Sequence, residues 1–155
     1  MTQKPYRLCA GIMLMNNDGL IFVGQRIDNP SPALQMPQGG IDDGETPTQA
    51  AMRELKEEIG TNKAEIIAHY PEPLDYDLPE EIAGKLWGGK YAGQRQYWFL
   101  MRFLGSDNDI NLAREHPEFS RFEWADIKKL PSLAVPFKKE IYQKLSDYFE
   151  DYCKK

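Results

Sequence analysis

The sequence predicts one mixed α/β (α+β) domain that spans residues 1–155. Three observations favour this class: the chain has 155 residues, 41% of them are apolar, and strand-like and helix-like apolar patterns alternate along it. A chain of this length can bury one ordinary core, and no repeat or linker divides it. We therefore expect strands and helices to pack around a common interior.

The first elements are predicted to be two strands joined by a tight turn. The apolar segments GIMLM and LIFVGQR flank NNDG, whose Asn, Asp and Gly readily adopt positive φ. This arrangement is typical of a β-hairpin. The next segment, ALQMP, favours a short strand, and Gly39 and Gly40 after it favour a flexible loop.

The best-marked element is a helix predicted over Pro47–Ile59. Thr46 suits the N-cap, Pro47 suits the first helical position, and Gln49 completes a T-x-x-Q capping box. Gly60 suits the left-handed residue that ends a helix. An apolar stripe with four-residue spacing, made of Ala51, Leu55 and Ile59, should face the core.

The second half of the chain alternates apolar segments with one long polar loop. The loop is predicted at PEPLDYDLPEE, between AEIIAHY and the strongly apolar YWFLMRFLG, which is predicted to be a central strand. RFEWADI favours another strand. From Val135 onward, helical spacing predicts a final helix whose repeated apolar residues are Phe137, Ile141, Leu145, Phe149 and Tyr152.

Composition argues against several classes of protein. A net charge of −5 lacks the basic excess that is usual for bulk binding to a nucleic-acid backbone. The longest early apolar run, LCAGIMLM, is too short to span a membrane. Cys9 and Cys153 lie at opposite ends and match neither a disulfide framework nor a metal-ligand spacing. We therefore expect a cytoplasmic protein without a membrane partner.

Negative charge is concentrated between Gly39 and Thr61, where six acids accompany two bases. Glu54, Glu57 and Glu58 share one edge of the predicted helix, beside its apolar stripe. Like charges at this spacing destabilise a helix by roughly 0.2–0.5 kcal/mol per pair. A divalent cation such as Mg²⁺ would offset this repulsion, because it prefers carboxylate oxygens. Arg53 lies four residues before Glu57 and can hold that carboxylate while leaving the other two for the metal.

The spacing of the whole segment is more specific than its charge. A bare E-x-x-E-E is also typical of a solvated acidic face, and a calcium-binding or acidic interaction module would need only charge. From Gly39, however, the sequence follows G-x5-E-x7-R-E-L-x-E-E-x-G-T. This resembles the Nudix box, G-x5-E-x7-R-E-U-x-E-E-x-G-U with U aliphatic, at every position except the last, where Thr61 stands.

The resemblance implies a Nudix fold with a mixed β-sheet sandwiched between helices. It implies Mg²⁺- or Mn²⁺-dependent hydrolysis of nucleoside diphosphates linked to another moiety, with the box at residues 39–61. Arg53, Glu54 and Glu57 would be catalytic. The implied metal ligands are Gly39, Glu54, Glu57, Glu58 and, from a loop, Glu118. The base that takes the proton from water stays open between Glu54, which is preferred, and Glu118.

Segments outside the box resemble dinucleoside polyphosphate hydrolases and bacterial RNA pyrophosphohydrolases. They are YR at Tyr6, MPQGG, YDLP, KLWGGKYAGQRQYWFL, PEF and PFKKEIY. The implied substrate is a dinucleoside polyphosphate, such as diadenosine tetraphosphate, or the 5′-triphosphate end of RNA, and the oligomeric state stays open. The implied phosphate contacts are Arg7, Arg26, Gln94 and Lys138. Tyr76 and Phe137 would hold the nucleotide base or nearby groups, and core packing is an equal alternative for Phe137. A catalytically silent nucleotide-binding relative is the alternative, but it would lack a box carboxylate, and none is missing.

Overall fold

A computed structural model describes residues 5–27, 32–77, 91–113 and 117–153, without the side chain of Phe137. The described residues form seven strands: β1 (Tyr6–Met15), β2 (Ile21–Arg26), β3 (Gln38–Gly40), β4 (Ala64–His69), β5 (Leu74–Asp77), β6 (Gly93–Phe103) and β7 (Phe119–Ala125). They make one mixed sheet with the order β4-β6-β1-β2-β7. In addition, β3 pairs with β1, and β5 pairs with β6.

The predicted hairpin and central strand are confirmed. β1 and β2 pair antiparallel, with Met15 opposite Ile21. β6 contains the first seven residues of the apolar segment YWFLMRFLG and runs parallel to β1 over ten residue pairs, from Tyr6 opposite Gly93 to Met15 opposite Arg102. β1 and β6 are central strands, because each also pairs with other strands along its opposite edge.

Helix α1 spans Pro47–Ile59, as predicted. Thr46 accepts a hydrogen bond from the backbone N–H of Gln49, the Gln49 side chain completes the capping box, and Gly60 has φ 81°. The other described helices are α2 (Leu130–Leu133) and α3 (Lys139–Phe149). None of the helices in the described ranges is long and apolar enough to cross a membrane.

The sheet lies between helices, as the resemblance implied. On one face, Ile12 and Phe22 pack with Leu55 and Ile59 of α1. On the other face, a second cluster joins the sheet to α3; its members include Met13, Val23, Trp98, Tyr142 and Leu145. Residues along each central strand therefore alternate between two buried cores.

Two local predictions at the sheet were wrong. In ALQMP the structure has only an isolated bridge between Gln35 and Gly24, and the strand is Gln38–Gly40, where a flexible loop was expected. Both glycines there are extended, without positive φ, because they pair in register with β1. The polar segment PEPLDYDLPEE contains the strand Leu74–Asp77, which pairs with β6; its last four residues lie outside the described ranges.

The start of the final helix also differs from the prediction. α3 begins at Lys139, after a 3-10 turn at Pro136–Lys138, and Tyr152 belongs to a second 3-10 turn, Glu150–Cys153. Ile141, Leu145 and Phe149 are buried, as their spacing predicted, whereas Tyr152 is 49% exposed. The chain therefore turns just before α3, and this turn presents Lys138.

Candidate active site

The predicted functional residues gather at the end of the sheet where β1 and β6 begin. Parallel pairing brings Arg7 opposite Gln94, and β5 places Tyr76 opposite Gln94 on the other side. Antiparallel pairing of β2 with β7 brings Arg26 to the residues around Phe119, next to Glu118. Strands from distant parts of the chain thus supply neighbouring side chains.

Arg53 joins the loop before α1 to the carboxylates of the helix. Its guanidinium donates to both Glu45 oxygens at 2.7 and 2.9 Å, to Glu54 Oε1 at 2.8 Å and to Glu57 Oε2 at 3.1 Å. It also donates to the Gly40 carbonyl at 2.8 Å. The predicted pair with Glu57 is confirmed. Arg53 also bonds Glu54, which was expected to be left for the metal, because the planar guanidinium offers five donors.

The hydrogen bonds from Arg53 lower the pKa of Glu45 to about 2, so this carboxylate stays ionised over the physiological range. Glu45 in turn accepts a hydrogen bond from the Asp42 backbone at 2.8 Å. Arg53 and Glu45 together fix the path of the loop from Gly40 to the helix. Arg53 also orients the side chain of Glu54 through its hydrogen bond to Oε1.

The three box carboxylates lie in different environments. Glu57 has a 58% exposed side chain, Glu54 a 14% exposed one, and Glu58 is a 4% exposed residue. Burial raises the pKa of Glu54. Burial, followed by the charges of Glu54 and Glu118, raises the pKa of Glu58 well above its usual value. A uniformly solvated acidic face is therefore excluded.

The donor set fits a divalent cation. Oε2 of Glu58 is buried and has no hydrogen-bond partner within the described residues. Such an atom is costly unless a partner arrives, and a cation would also reduce its repulsion with Glu54 and Glu118. A Cβ on Gly39 would overlap the Glu54 carboxyl group, so this carboxyl packs directly against the Gly39 backbone.

The exact ligand set stays a prediction. In the described parts of the chain, no three acidic, histidine or cysteine side chains are already arranged around one point as a metal site. The carboxylates among the implied ligands are nevertheless close together. The charges of Glu57 and Glu118 act on Glu54, and those of Glu54 and Glu118 act on Glu58. The other implied ligand is the backbone of Gly39.

Basic side chains lie beside these acids. Arg26 Nη2 is 3.4 Å from Glu118 Oε2. Lys138 is only 7% exposed, and its Nζ lies 3.5 Å from the Gln35 side-chain oxygen. Burial, together with the charge of Arg26, lowers the pKa of Lys138 to about 8. A buried lysine that keeps its charge near neutral pH is suited to an anionic ligand.

Arg7 completes the basic group on β1. Its Nη1 donates to the buried Cys9 thiol at 3.7 Å. Burial raises the pKa of Cys9 to about 11, while the charges of Arg7 and Lys138 oppose this shift. The charges of Arg7 and Lys138 therefore both reach the Cys9 thiol, although these two residues lie near opposite ends of the sequence.

Tyr76 and Gln94 are the other predicted substrate contacts whose side chains the structure describes. Tyr76 is partly buried, and burial, with Cys9 as the next cause, raises the pKa of its hydroxyl. Gln94 is 3% exposed. The Phe137 side chain lies outside the described part, so its contact with a base stays a prediction.

Comparison with known proteins identifies the family. A model of the NUDIX domain matches residues 5–145. The chain belongs to the Nudix family. An RNA pyrophosphohydrolase of Sphingopyxis alaskensis is 54% identical over 147 residues, which cover 94% of this chain and 93% of the relative. An RNA pyrophosphohydrolase of Erythrobacter litoralis is 57% identical over 142 residues, or 89% of this chain and 87% of the relative.

Solved structures support the Nudix fold at much lower identity. The E. coli dihydroneopterin triphosphate pyrophosphohydrolase has a TM-score of 0.69 and 19% identity, and the match covers 94% of this chain and 99% of that one. A C. elegans Ap4A hydrolase in a binary complex has a TM-score of 0.66 and 22% identity, with coverage of 94% and 98%. These neighbours confirm the fold class.

The sequence did not assign roles to four residues that lie in this Nudix site. Glu45 was only a position in the box, yet it is the main partner of Arg53. Gln38 and Gln96 were not singled out, and Cys9 was considered only for a disulfide or a metal site. A signal was available for Gln96, because Gln94, Gln96 and Trp98 lie two residues apart along one strand and must share a face. Polar residues on a buried face need partners.

Proposed function

We propose that this protein is an RNA pyrophosphohydrolase that removes pyrophosphate from the 5′-triphosphate end of RNA with a divalent cation, Mg²⁺ or Mn²⁺. One observation carries the chemistry: the Glu58 carboxylate is buried without a partner for Oε2 in the described structure, within electrostatic reach of Arg26 and Lys138. The relatives that bear the name RNA pyrophosphohydrolase support RNA as the substrate, since they are 54% and 57% identical over most of both chains.

The charge arrangement suits a phosphate chain bridged by a cation. Carboxylates alone would repel a polyphosphate, whereas Arg7, Arg26 and Lys138 attract its oxygens. Burying Lys138 costs free energy in the absence of an anion, as its lowered pKa indicates. A bound phosphate would recover that cost, so the same residue favours an anionic substrate over a neutral one.

Glu54, Glu57, Glu58 and Glu118, with the backbone of Gly39, are the groups that would hold the cation. When bound, the cation polarises a phosphate oxygen and lowers the pKa of the attacking water. The remaining chemistry belongs to the chain. Burial raises the pKa of Glu54, which makes its carboxylate a better proton acceptor than an exposed one.

The hydrolytic step needs one proton transfer and one bond exchange. The Glu54 carboxylate, held by Arg53 at 2.8 Å, takes a proton from the water. The water oxygen forms a bond to phosphorus, and the anhydride P–O bond breaks with its electron pair on the departing pyrophosphate. Arg7, Arg26 and Lys138 stabilise the charge that develops on the phosphate oxygens. The products are a 5′-monophosphate RNA and pyrophosphate.

A side-by-side rate comparison of 5′-triphosphorylated RNA and diadenosine tetraphosphate tests this function. We expect a higher kcat/KM for RNA, release of pyrophosphate, loss of turnover in EDTA and recovery with Mg²⁺ or Mn²⁺. Glu58→Gln, which keeps the shape but not the charge, should be inactive on both substrates. A higher kcat/KM for the dinucleotide would reassign the substrate, and full turnover in EDTA would contradict the metal requirement. The cytoplasmic location stays a prediction.

A further inference from the structure

A row of hydrogen-bonded side chains lies beneath the phosphate-binding residues. The indole Nε1–H of Trp98 donates to Gln96 Oε1 at 2.8 Å. The Gln96 amide nitrogen donates to Gln94 Oε1 at 2.8 Å and to Gln38 Oε1 at 2.6 Å. Trp98, Gln96 and Gln94 are at most 3% exposed, so these bonds have little competition from water.

The strand pattern and one glycine bring the row together. Gln94, Gln96 and Trp98 lie two residues apart on β6 and therefore share a face. Gln38 comes from β3, on the far side of β1, where Gly11 lies opposite both Gln38 and Trp98. A Cβ on Gly11 would be 2.5 Å from two carbons of the Trp98 ring. The missing side chain at Gly11 thus makes room for the indole over β1.

The indole determines which way each amide points. An indole N–H can only donate, so it requires the oxygen of Gln96, and the Gln96 NH₂ must then face the other two amides. Because that NH₂ can also only donate, Gln94 and Gln38 must both turn their oxygens towards it. Their own NH₂ groups consequently point away from the row.

Both outer amides border the proposed phosphate site. Gln94 lies opposite Arg7 on one neighbouring strand and opposite Tyr76 on the other. Gln38 precedes Gly39, and its backbone hydrogen-bonds the Glu58 carboxyl group. An amide that turns its NH₂ outward offers donors to a phosphate, whereas a flipped amide would offer an oxygen and repel it.

We propose that Trp98 and Gln96 are positioning residues that orient the amides of Gln94 and Gln38, so that a polyphosphate meets hydrogen-bond donors on this wall. The identity of the anion rests on the proposed function. The orientation itself rests on the donor-only indole and on the three hydrogen bonds. Without the indole N–H, each amide can adopt either orientation.

The effect of losing the fixed amide orientation on binding can be estimated. If Gln94 and Gln38 flip together after the indole N–H is removed, half of the molecules keep the competent orientation; if they flip independently, one quarter do. Apparent affinity falls by the competent fraction, so Trp98→Phe should weaken binding of a phosphate chain by roughly two- to fourfold. Gln96→Met removes the central amide and should have a similar effect.

Gln96→Glu reverses the orientation instead of randomising it. One oxygen of the new carboxylate still accepts from Trp98, but the other can only accept, so both outer amides must turn their NH₂ groups inward. They would then present oxygens to the anion. We expect binding to weaken by roughly tenfold or more, clearly beyond the effect of Gln96→Met.

The test is calorimetric titration of each variant with inorganic tripolyphosphate, at constant Mg²⁺ and pH 7.0, with thermal unfolding as the check on folding. Trp124→Phe is the matched control, since this indole also donates a hydrogen bond, to Asp107, but away from the site. It should bind like wild type. If Gln96→Glu fails to fold, Trp98→Phe and Gln96→Met still test the loss of the fixed amide orientation.

The proposal is overturned if Gln96→Glu binds no more weakly than Gln96→Met, or if all variants bind like wild type. Absence of tripolyphosphate binding by wild type would also overturn it. Because the titration requires no hydrolysis, a protein that shows the expected order of affinities but leaves 5′-triphosphorylated RNA intact would refute the proposed function alone. In steady-state kinetics, the variants should raise KM more than they lower kcat, whereas a general loss of active protein would lower kcat alone.

Discussion

Gly40→Ala should weaken substrate handling through Arg7 while the fold stays stable. The added Cβ would lie 2.6 Å from Arg7 Nη2 and 3.1 Å from Arg7 Cζ. Ordinary non-bonded contacts are about 3.5–4.0 Å, so the guanidinium must withdraw by about 1 Å. Only the far end of a flexible side chain blocks the methyl group, and Gly40 is extended without positive φ. The backbone should therefore accept alanine at little cost.

The functional cost follows from the contact that Arg7 would lose. A hydrogen bond to a charged group contributes about 1.5–3 kcal/mol, which corresponds to roughly 10- to 150-fold in kcat/KM. We expect a fall in this range for 5′-triphosphorylated RNA, with Tm lowered by less than about 3 °C. Steady-state kinetics and thermal unfolding of the same preparation measure the two effects.

A double variant provides the decisive comparison. If Gly40→Ala acts through Arg7, it should have almost no further effect on kcat/KM when Arg7→Ala is already present. Gly44→Ala is the contrasting control, since Gly44 has φ 85° and an added Cβ would contact nothing within 4 Å. This control should lose about 1–2 kcal/mol of stability and keep its kcat/KM. Additive effects of Gly40→Ala and Arg7→Ala would refute the reasoning.

Three further predictions concern the charged groups of the site. Because burial raises the pKa of Glu58, unfolding releases a proton above about pH 4.5, and the metal-free protein should lose stability as pH rises through the raised pKa. Glu58→Gln should remove this pH dependence and raise Tm in EDTA by roughly 2–4 °C per kcal/mol relieved, as scanning calorimetry at several pH values would show. Because Lys138 has a pKa of about 8, unfolding takes up a proton between pH 8 and about 10.5, so stability should rise with pH in that window. Lys138→Met should abolish the rise and lower kcat/KM by about 10- to 150-fold; an unchanged kcat/KM would remove Lys138 from the site. Glu57→Gln should remove most hydrolysis and leave Tm unchanged or slightly higher, since it relieves repulsion along the helix. Lys56→Gln, at the exposed neighbouring residue, should leave both activity and Tm nearly unchanged. Equal activities of the two variants would exclude Glu57 as a metal ligand.

Features determined by local chemistry could be predicted from the sequence. The bounds of α1 were predicted correctly because Thr46 caps the start of the helix and Gly60 caps its end. Both caps form hydrogen bonds to residues only a few positions away. The pair of Arg53 with Glu57 was predictable for the same reason, since i,i+4 spacing determines it. These contacts do not depend on the rest of the fold.

Features that depend on distant pairing could not be predicted. β5 exists because Leu74–Asp77 pairs with β6, and nothing in the surrounding Pro- and Asp-rich segment shows this. Helical spacing placed Glu57 and Glu58 on one edge, but only the packed sheet makes Glu58 4% exposed while the Glu57 side chain stays 58% exposed. At Gly40 the absent side chain serves close packing against Arg7, whereas chain flexibility was expected.

The parallel pairing of β1 with β6 has a consequence for synthesis on the ribosome. β1 ends at Met15 and β6 begins at Gly93, so roughly 80 residues must be added before the first strand meets its long partner. At 5–20 residues per second this delay is about 4–16 s. During that interval the edge of β1 that will bind β6 is an apolar strand edge without its native partner, which is the kind of surface that aggregates or recruits chaperones. Slow translation between residues 16 and 92 should therefore lower the yield of folded protein more than slow translation after Phe103.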